Sequence, residues 1–596
     1  TSSGLPVTIT QTISGGFITL TGTTTAGTIF TFQVNQATGA YTYTQSGPLD
    51  HPDHGVNGSE TGSADPIVLT FDYIVTDRDG DNATGAINVT IDDDGPVARG
   101  SGTISVTEDG TAAGAFIEQS AGGTLLFDAG ADGAQVTDIT YRFGSKALDM
   151  DAPGGFPALT SGGQQVVVTA SADGLTVTGM AGSTVVFTLH VTDPVTGAYT
   201  FTQKAPIDHP DINESGAADA LRLVFDFTVT DGDGDTSTSW VQVDIRDDAP
   251  TVIGDGNTNV ALYESHIHAI PGVQSAGTEA TLASDVTGTI SKVDFGADGF
   301  GSLKFSGSFN VPNGGHAALV GGGAGADSGL TSDGEAVYFR LSSDGKTVEG
   351  YVPGRGDEII LTATLNGVDT GYTVNLLGNI DHQLPDGVPG GRDEAQSINF
   401  TVTATDGDGD TANVTLSLRI NDDAPTAAAL VRVGLDDDAL PGGNPGGIGD
   451  AADSSNATGT LAVHFGADGG TIGWLAPEFE SSHQGYSYEI DGQTLKIFQL
   501  QDSHTVQVLS VTLNATTGAY DVEQLAAIRH PTGAEENEVP FNLNYRVTDG
   551  DGDTADGVIR VVVDDDTPVI NGNTTQVNLL TNGDFSGGTF AHQESW

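Results

Sequence analysis

The 596-residue chain contains no cysteine, so neither disulfides nor thiolate metal sites can hold its domains together. It is also poor in positive charge, with 19 basic against 80 acidic residues and a formal net charge of −61. This balance excludes nucleic acid and anionic membranes as partners, because phosphate binding needs lysine and arginine. No run of apolar residues is long enough for a membrane span, so no membrane insertion is expected.

Glycine and alternating apolar residues are plentiful. The chain has 84 glycines and 37% hydrophobic residues, with Val, Ile, Phe and Thr in short runs between turn residues. Such a pattern predicts many short strands joined by tight turns, and the length predicts several domains. The excess of acidic groups would oppose compact folding unless cations neutralise it.

One acidic motif occurs four times, and we call it the triple-Asp loop. It spans residues 77–81, 231–235, 406–410 and 549–553, where three aspartates alternate with other residues, mostly glycine. A strand-like run precedes each copy, and a second run after it ends in acidic residues and a proline. We call these terminal residues the acidic end. Self-similarity of this kind predicts a tandem array of repeats.

Repeat boundaries are expected after Pro96, Pro250, Pro425 and Pro568. The predicted segments are 1–97, the C-terminal part of a repeat; 98–251, a repeat; 252–426, a repeat with longer insertions; 427–569, a repeat; and 570–596, the start of a further module. Thr1 is thus expected to lie inside a repeat of a longer protein. The last segment resembles the first strand of a jelly-roll carbohydrate-binding module.

The triple-Asp loops are candidate metal sites, because three carboxylates around one turn suit a hard cation such as Ca²⁺. They are not EF-hand loops, since a strand rather than a helix is expected after Asp235. The alternative is a solvated acidic turn, which four copies at the same place make less favourable. The predicted ligands are Asp77, Asp79, Asp81, Asp231, Asp233, Asp235, Asp406, Asp408, Asp410, Asp549, Asp551 and Asp553.

The acidic ends lie where one repeat joins the next, and acids of the following repeat are expected to lie beside them and share calcium. The alternative is that these aspartates only terminate a strand. The predicted ligands at the ends are Asp92, Asp93, Asp94, Asp247, Asp248, Asp422, Asp423, Asp564 and Asp565. Those expected to face them from the following repeat are Glu108, Asp109, Glu264 and Asp436.

Four histidines recur in the loop before the triple-Asp strand: His51, His209, His382 and His530. No serine or second base recurs beside them to complete a nucleophilic site. We therefore expect them to hold the loop in place, and we expect the chain not to be an enzyme.

The quoted motifs resemble the tandem large repeats of type I secreted, RTX-type bacterial adhesins. The resemblance rests on Asp-His-Pro at Asp50 and Asp208, Val-Thr-Asp-Gly-Asp-Gly-Asp-Thr at Val229 and the Asp-Asp-x-Pro ends, and it covers residues 1–568. It implies an all-β fold of tandem Ig-like or cadherin-like β-sandwich repeats in an elongated array. It also implies a secreted, extracellular location at the bacterial cell surface, export by type I secretion, and folding on external calcium.

The function expected from this resemblance is a calcium-stiffened extender that projects a binding module for cell-surface or biofilm attachment. Its partners would be calcium and neighbouring repeats, with glycans or other cell surfaces bound by modules outside this segment. Two alternatives stay open: an adhesive module that binds ligand itself, favoured by the unique glycine-rich insertion at 313–329, and a surface-layer or matrix protein that assembles side by side.

Overall fold

The computed structural model describes residues 1–51, 66–100, 102–110, 115–150, 152, 154–210, 216–267, 283–310, 316–318, 325–382, 395–444, 454–477, 485–533 and 537–567. The predicted module at 570–596 lies outside these ranges. Contacts divide the chain into two compact units. Unit 1 holds Thr1–Leu262, Ala283–Gly378 and Ala395–Ile420, and unit 2 holds Tyr263–Leu282, Asn379–Glu394 and Asn421–Trp596.

The described elements are β-strands and three single-turn 3-10 helices, which confirms the all-β prediction. No described helix is long and apolar enough to cross a membrane. The first repeat forms a sheet in the order β1-β2-β3-β4 and a separate hairpin β5-β6. These strands are β1 (Thr8–Ser14), β2 (Phe17–Thr24), β3 (Gly27–Asn35), β4 (Tyr41–Gln45), β5 (Ile67–Thr76) and β6 (Asn82–Ile91).

The second repeat is a two-sheet sandwich with a small pair of strands, β7 and β10. One sheet has the order β11-β18-β19-β8, with β12 also paired to β18, and the other has the order β13-β14-β15-β16-β17-β9. The strands are β7 (Val97–Arg99), β8 (Thr103–Thr107), β9 (Gln119–Thr124), β10 (Leu126–Asp128), β11 (Ala134–Tyr141), β12 (Leu148–Asp149), β13 (Thr160–Ser161), β14 (Gln164–Ala170), β15 (Thr176–Ala181), β16 (Thr184–Asp193), β17 (Ala198–Gln203), β18 (Gly216–Asp231) and β19 (Thr236–Asp247).

The third repeat again has two sheets and one small strand pair, β20-β23. The sheets have the orders β21-β32-β31-β24-β25 and β22-β30-β29-β28-β27-β26. The strands are β20 (Thr251–Val252), β21 (Asn257–Tyr263), β22 (Asp285–Thr289), β23 (Val293–Asp294), β24 (Phe300–Asn310), β25 (His316–Ala318), β26 (Ala326–Ser332), β27 (Glu335–Leu341), β28 (Thr347–Val352), β29 (Glu358–Leu365), β30 (Gly371–Leu376), β31 (Ala395–Asp406) and β32 (Thr411–Asn421), and two of the 3-10 helices are Glu264–His266 and Pro353–Arg355.

The fourth repeat has sheets in the orders β33-β41-β40-β35 and β34-β39-β38-β37-β36. The strands are β33 (Val431–Asp436), β34 (Asn456–Thr460), β35 (Gly470–Trp474), β36 (Tyr486–Asp491), β37 (Thr494–Gln501), β38 (His504–Leu513), β39 (Ala519–Gln524), β40 (Val539–Asp549) and β41 (Thr554–Asp564), and the third 3-10 helix is Asp437–Ala439. The division into tandem β-sandwich repeats agrees with the sequence pattern, while the individual boundaries stay a prediction.

Side chains alternate between core and solvent along the long strands, as a period of two requires. In β18 the residues Leu221, Leu223, Phe225, Phe227 and Val229 are all buried, and polar residues alternate with most of them. The core of the second repeat takes residues from both sheets. The apolar runs next to the triple-Asp loop at 231–235 therefore build the sandwich and hold the loop at its end.

In the second and fourth repeats, the first strand of the main sheets, β8 or β33, pairs in parallel with the last strand of the repeat. Thr107 of β8 lies opposite Arg246 of β19, and Asp436 of β33 lies opposite Asp564 of β41. Residues just after the first strand therefore lie beside the acidic end of the same repeat.

We expect Phe225→Ala to destabilise the second repeat by about 3–5 kcal/mol, because the ring is fully buried. It packs against Tyr141, Phe187 and Phe201, with ring centroids 5.3, 6.1 and 6.4 Å away. Urea denaturation of the full chain should show one transition moving to lower urea. Val195→Ala, at a side chain 65% exposed, is the control and should change little. Equal movement of every transition would contradict separate cores.

Candidate metal centres at the joints between repeats

The first aspartate of each triple-Asp loop closes the turn. Asp231 Oδ1 accepts hydrogen bonds from the backbone N–H of Gly234 (3.0 Å) and of Asp235 (2.7 Å). Asp77, Asp406 and Asp549 make the same two bonds in their loops. Gly234 has a φ of 112°, a backbone conformation that side chains disfavour. One oxygen of the first aspartate is thus used by the loop itself.

The middle aspartate contacts the preceding repeat. Its Oδ2 accepts a hydrogen bond from the backbone N–H of a histidine in that repeat. The pairs are Asp233 with His51 at 3.2 Å, Asp408 with His209 at 3.3 Å, and Asp551 with His382 at 3.2 Å. The Asp-His loop of one repeat therefore docks on the triple-Asp loop of the next. In the first copy, where the structure describes no preceding repeat, Asp77, Asp79 and Asp81 are exposed.

The last aspartate of the first three acidic ends docks on a Gly-Ala-Asp turn of the next repeat. Asp94, Asp248 and Asp423 accept hydrogen bonds from the backbone N–H of Ala131, Ala297 and Ala467 at 2.9–3.1 Å. The position before each alanine requires glycine for two reasons, a positive φ and a lack of room for a Cβ atom. Gly296, for example, has a φ of 70°, and a Cβ there would lie 2.3 Å from Asp248 Oδ2. We call the contact between two consecutive repeats, formed by the Asp-His loop, the acidic end, the Gly-Ala-Asp turn and the triple-Asp loop, a joint. The first joint lies between the first and second repeats, the second between the second and third, and the third between the third and fourth.

Glu108 does not lie beside Asp92–Asp94, so that sequence expectation is wrong. Its backbone N–H donates to Arg246 O (2.9 Å), and its Oε1 accepts from the N–H of Ile207 (3.0 Å). The reason is the path of β8, which starts near the first joint and runs parallel to β19 toward the far end of the sandwich. Glu108 therefore belongs to the joint between the second and third repeats.

The second joint collects carboxylate oxygens that form no hydrogen bond. Glu108, Asp247, Asp248 and Asp298 each place an oxygen within 4.8 Å of the others. Within the described residues, five buried oxygens here accept no hydrogen bond: Glu108 Oε2, Asp247 Oδ1 and Oδ2, Asp298 Oδ2 and Asp408 Oδ1. No described lysine or arginine forms an ion pair with any of these acids, Asp248 and Asp408 included. Buried carboxylates without partners are costly, so the joint needs a cation or protons.

Burial and mutual repulsion raise the carboxyl pKa values at this joint. The pKa of Asp247 rises to about 11, through burial first and then through Asp408, Asp298 and Glu108. Burial, then Asp408 and Asp248, raise the pKa of Asp298 to about 8. Burial raises the pKa of Glu108 well above its usual value.

The third joint lies within unit 2 and repeats the arrangement. Glu264 is fully buried, and its Oε1 accepts from the N–H of Ile380 at 2.7 Å, as Glu108 does from Ile207. Glu264 Oε2, Asp422 Oδ1, Asp468 Oδ2 and Asp551 Oδ1 are buried and accept no hydrogen bond from described residues. Burial, then Asp551 and Asp468, raise the pKa of Asp422 to about 10.

The first joint contains Asp93, Asp132, Asp233 and Asp235. Burial, then Asp233 and Asp94, raise the pKa of Asp132 to about 7. Asp93 Oδ1 lies 2.9 Å from His51 Nδ1. Among the described residues, the first joint has no counterpart of Glu108. Glu108 follows β8, and strands β1 to β6 of the first repeat include no strand in the place of β8.

In the fourth repeat Asp437, rather than the predicted Asp436, takes the place of Glu108. Its carboxylate accepts hydrogen bonds from the Ile528 N–H and from Gln524, as Glu108 accepts from Ile207 and Gln203. Asp436 ends β33 and is buried opposite Asp564. Asp437 therefore reaches His530 and Asp565.

The structure brings most predicted ligands into the joints but separates some. Asp92 is exposed and the loop at Asp77 is solvated, while Asp109 is exposed at the edge of the second joint. Residues that the site prediction missed are Asp132, Asp298, Asp468, Asp437, Asp566 and the four histidines. The signal that could have found Asp566 is its distance from the proline. Asp247 and Asp248 are the third and second residues before Pro250, and Asp566 is the second residue before Pro568.

The fold and joints define a protein built of tandem β-sandwich repeats, in which the acidic end of one repeat contacts the next repeat. The family model described as "Domain of unknown function (DUF5801)" matches residues 1–90, 98–245, 259–419 and 432–561. The chain therefore belongs to this family. No curated protein matches it.

Solved structures similar to this chain include cadherin ectodomains. Mouse Cadherin-23 EC22-24 is 11% identical with a TM-score of 0.22, covering 79% of this chain and 100% of that one. Protocadherin Gamma B2 domains 3-6 is 12% identical with a TM-score of 0.22, covering 94% and 99%. Drosophila N-cadherin EC1-4 is 12% identical with a TM-score of 0.17, covering 94% and 92%. Scores this low carry no argument about function.

The metal-free protein should lose stability as the pH rises from about 5 to 8. The joint carboxyls have folded pKa values above the unfolded value of about 3.9, so the folded state holds protons that the unfolded state has released. Each such carboxyl contributes up to about 1.4 kcal/mol of destabilisation per pH unit. Calorimetry of dialysed protein tests this, and Asp247→Asn should reduce the slope. A melting temperature that rises with pH would contradict the buried acidic joints.

Proposed function

We propose that this chain is a calcium-stiffened extender region of a large bacterial surface adhesin, which projects a binding module away from the cell. The observation that carries the proposal is the set of five buried carboxylate oxygens without hydrogen bonds at the second joint. Ca²⁺ takes six to eight oxygen ligands at 2.3–2.6 Å, with water completing the shell. This donor set fits Ca²⁺, because it is anionic, oxygen-rich and buried.

The residues that would hold the ion come from both repeats. Glu108 and Asp247 belong to the second repeat, and Asp298 and Asp408 belong to the third. A bound divalent cation supplies the positive charge that these carboxylates lack. Glu108 is held by Ile207, and Asp408 by the His209 N–H, so the ligands are positioned by the backbone on both sides of the joint. Neutralising the joint would lock the two repeats together.

The geometry favours an extender over a module that binds an organic ligand. The groove at the second joint is lined by Glu108, Asp109, Gly110, Asp247, Asp248, Ala249, Pro250, Thr251, Asp294 and Gly296. These residues include no aromatic side chain on which a sugar could stack. The same arrangement recurs at the third joint, as expected of a spacer in which each repeat has the same task. We further propose that the chain has no catalytic activity, and that it is secreted to the bacterial surface.

Calcium should raise the melting temperature of the second and third repeats. Extracellular calcium modules bind at about 10⁻⁴ to 10⁻³ M, so millimolar Ca²⁺ should fill the joints. Asp247→Asn should weaken calcium binding at least about tenfold while making the metal-free protein more stable, because it removes one buried carboxyl. Calorimetry with and without Ca²⁺ measures both effects.

Asp128→Asn is the matched control, since the Asp128 side chain is 66% exposed and lies outside the joint. It should leave the calcium response unchanged. An identical melting curve with and without Ca²⁺ for the wild type would contradict the proposal.

Calcium should also make the joints rigid. Without the ion, carboxylates from adjoining repeats repel one another, and at an effective dielectric of about 20 two charges 4 Å apart cost about 4 kcal/mol. Small-angle X-ray scattering should show a narrower distribution of end-to-end lengths in millimolar Ca²⁺. The variant with Asp247→Asn and Asp248→Asn should keep part of the broad distribution. Equal scattering in both conditions would contradict the stiffening mechanism while leaving calcium binding standing.

A further inference from the structure

The histidine in the joints is not explained by calcium, which prefers oxygen ligands. His209 has a side chain only 1% exposed, and its Nδ1 lies 3.3 Å from Asp219 Oδ1. Its other ring nitrogen, Nε2, is buried and forms no hydrogen bond with the described residues. A ring nitrogen of His209 lies within 4.8 Å of carboxylate oxygens of Glu108 and Asp247. Glu108 Oε2 and both Asp247 oxygens also form no hydrogen bond with the described residues.

The same arrangement recurs with different ring atoms. His51 directs Nε2 at Ile91 O (3.4 Å) and Nδ1 at Asp93 (2.9 Å) and Asp233 (3.8 Å). His530 does the reverse, with Nδ1 at Asn537 O (2.7 Å) and Nε2 at Asp437 (3.5 Å). In both histidines, one ring nitrogen contacts a backbone carbonyl oxygen and the other lies near two carboxylates. For His530 these are Asp437 and Asp565.

In the third joint, the imidazole lies between the same two kinds of acid. His382 Nδ1 is 3.6 Å from Glu264 Oε2 and 3.5 Å from Asp422 Oδ1. The feature common to the four sites is therefore one imidazole and two carboxylates, one of them from the acidic end.

We propose that each of these groups is a site for a transition-metal ion of the Zn²⁺ class, bound by one imidazole nitrogen and two carboxylates beside the calcium ligands. Imidazole nitrogen selects such ions, while Ca²⁺ does not require it. The proposal rests in part on the proposed function, because Glu108 and Asp247 would serve both ions. Water would complete the coordination.

Two geometric features support a metal over a charged imidazolium. A histidine that binds a metal has its other nitrogen fixed by a carboxylate or carbonyl, as Asp219, Ile91 and Asn537 do here. Ligand atoms around a tetrahedral ion with bonds of 2.0–2.1 Å lie about 3.3 Å apart, and the distances above run from 2.9 to 3.8 Å.

The hydrogen-bond geometry points the same way. An imidazolium would donate along its N–H direction into a carboxylate. Asp93 Oδ1 approaches His51 Nδ1 to 2.9 Å without forming a hydrogen bond, and His209 Nε2 donates none. These ring nitrogens therefore lie near carboxylate oxygens without a hydrogen bond to them.

Co²⁺ titration of the full chain in millimolar Ca²⁺ tests the proposal, because Co²⁺ bound by nitrogen and oxygen has visible absorption bands that Ca²⁺ lacks. We expect one equivalent for each of the four histidine groups, displaced by Zn²⁺. His209→Gln should remove one equivalent and leave the Ca²⁺-dependent rise in melting temperature, because the proposed calcium ligands are carboxylates and the backbone N–H of residue 209 is kept.

His190→Gln is the matched control, because His190 lies in the same repeat, is exposed, and contacts Thr176 Oγ1 at 2.9 Å. It should leave the stoichiometry at four. No Co²⁺ bands, or bands unchanged in His209→Gln, would overturn the transition-metal site while calcium still stabilises the protein. Absence of both the bands and the calcium effect would overturn this inference and the proposed function together.

Discussion

Burial of like charges at the ends of the repeats is the constraint on which the rest of the structure depends. The sandwiches themselves are ordinary, with alternating side chains and aromatic cores such as the one around Phe225. Their ends place Glu108, Asp247 and Asp298 away from water without a described cationic side chain. Burying such groups costs free energy unless protons or cations neutralise them.

Two structural devices bring the acids of neighbouring repeats together. Backbone N–H groups hold single carboxylate oxygens, as Ala297 holds Asp248 and His209 holds Asp408. The remaining oxygens are left pointing at a shared centre. Glycine is required where the chains approach most closely, at Gly296. The joints therefore combine backbone N–H hydrogen bonds to single carboxylate oxygens with a cluster of buried carboxylate oxygens that accept none from described residues.

The strands and the acidic motifs could be predicted from sequence, because alternation and repetition are local properties. The partners of each acid could not. Glu108 was expected beside Asp94, but the register of β8 against β19 carries it to the other end of the repeat. Asp298 was not among the predicted ligands, because its neighbours Asp408 and Asp248 come from distant segments. Asp437 replaces Asp436 because β33 continues through Asp436.

The parallel pairing of first and last strands also affects how a repeat would respond to a pulling force. Tension enters the second repeat near β8 and leaves it after β19, and these strands lie side by side over five residue pairs, from Thr103 to Thr107. Opposed forces at the two ends load their hydrogen bonds lengthwise and all at once, instead of opening them one by one from a free end. The β33–β41 pairing has the same geometry. A chain under flow would then resist stretching through the same strands that place its acidic residues.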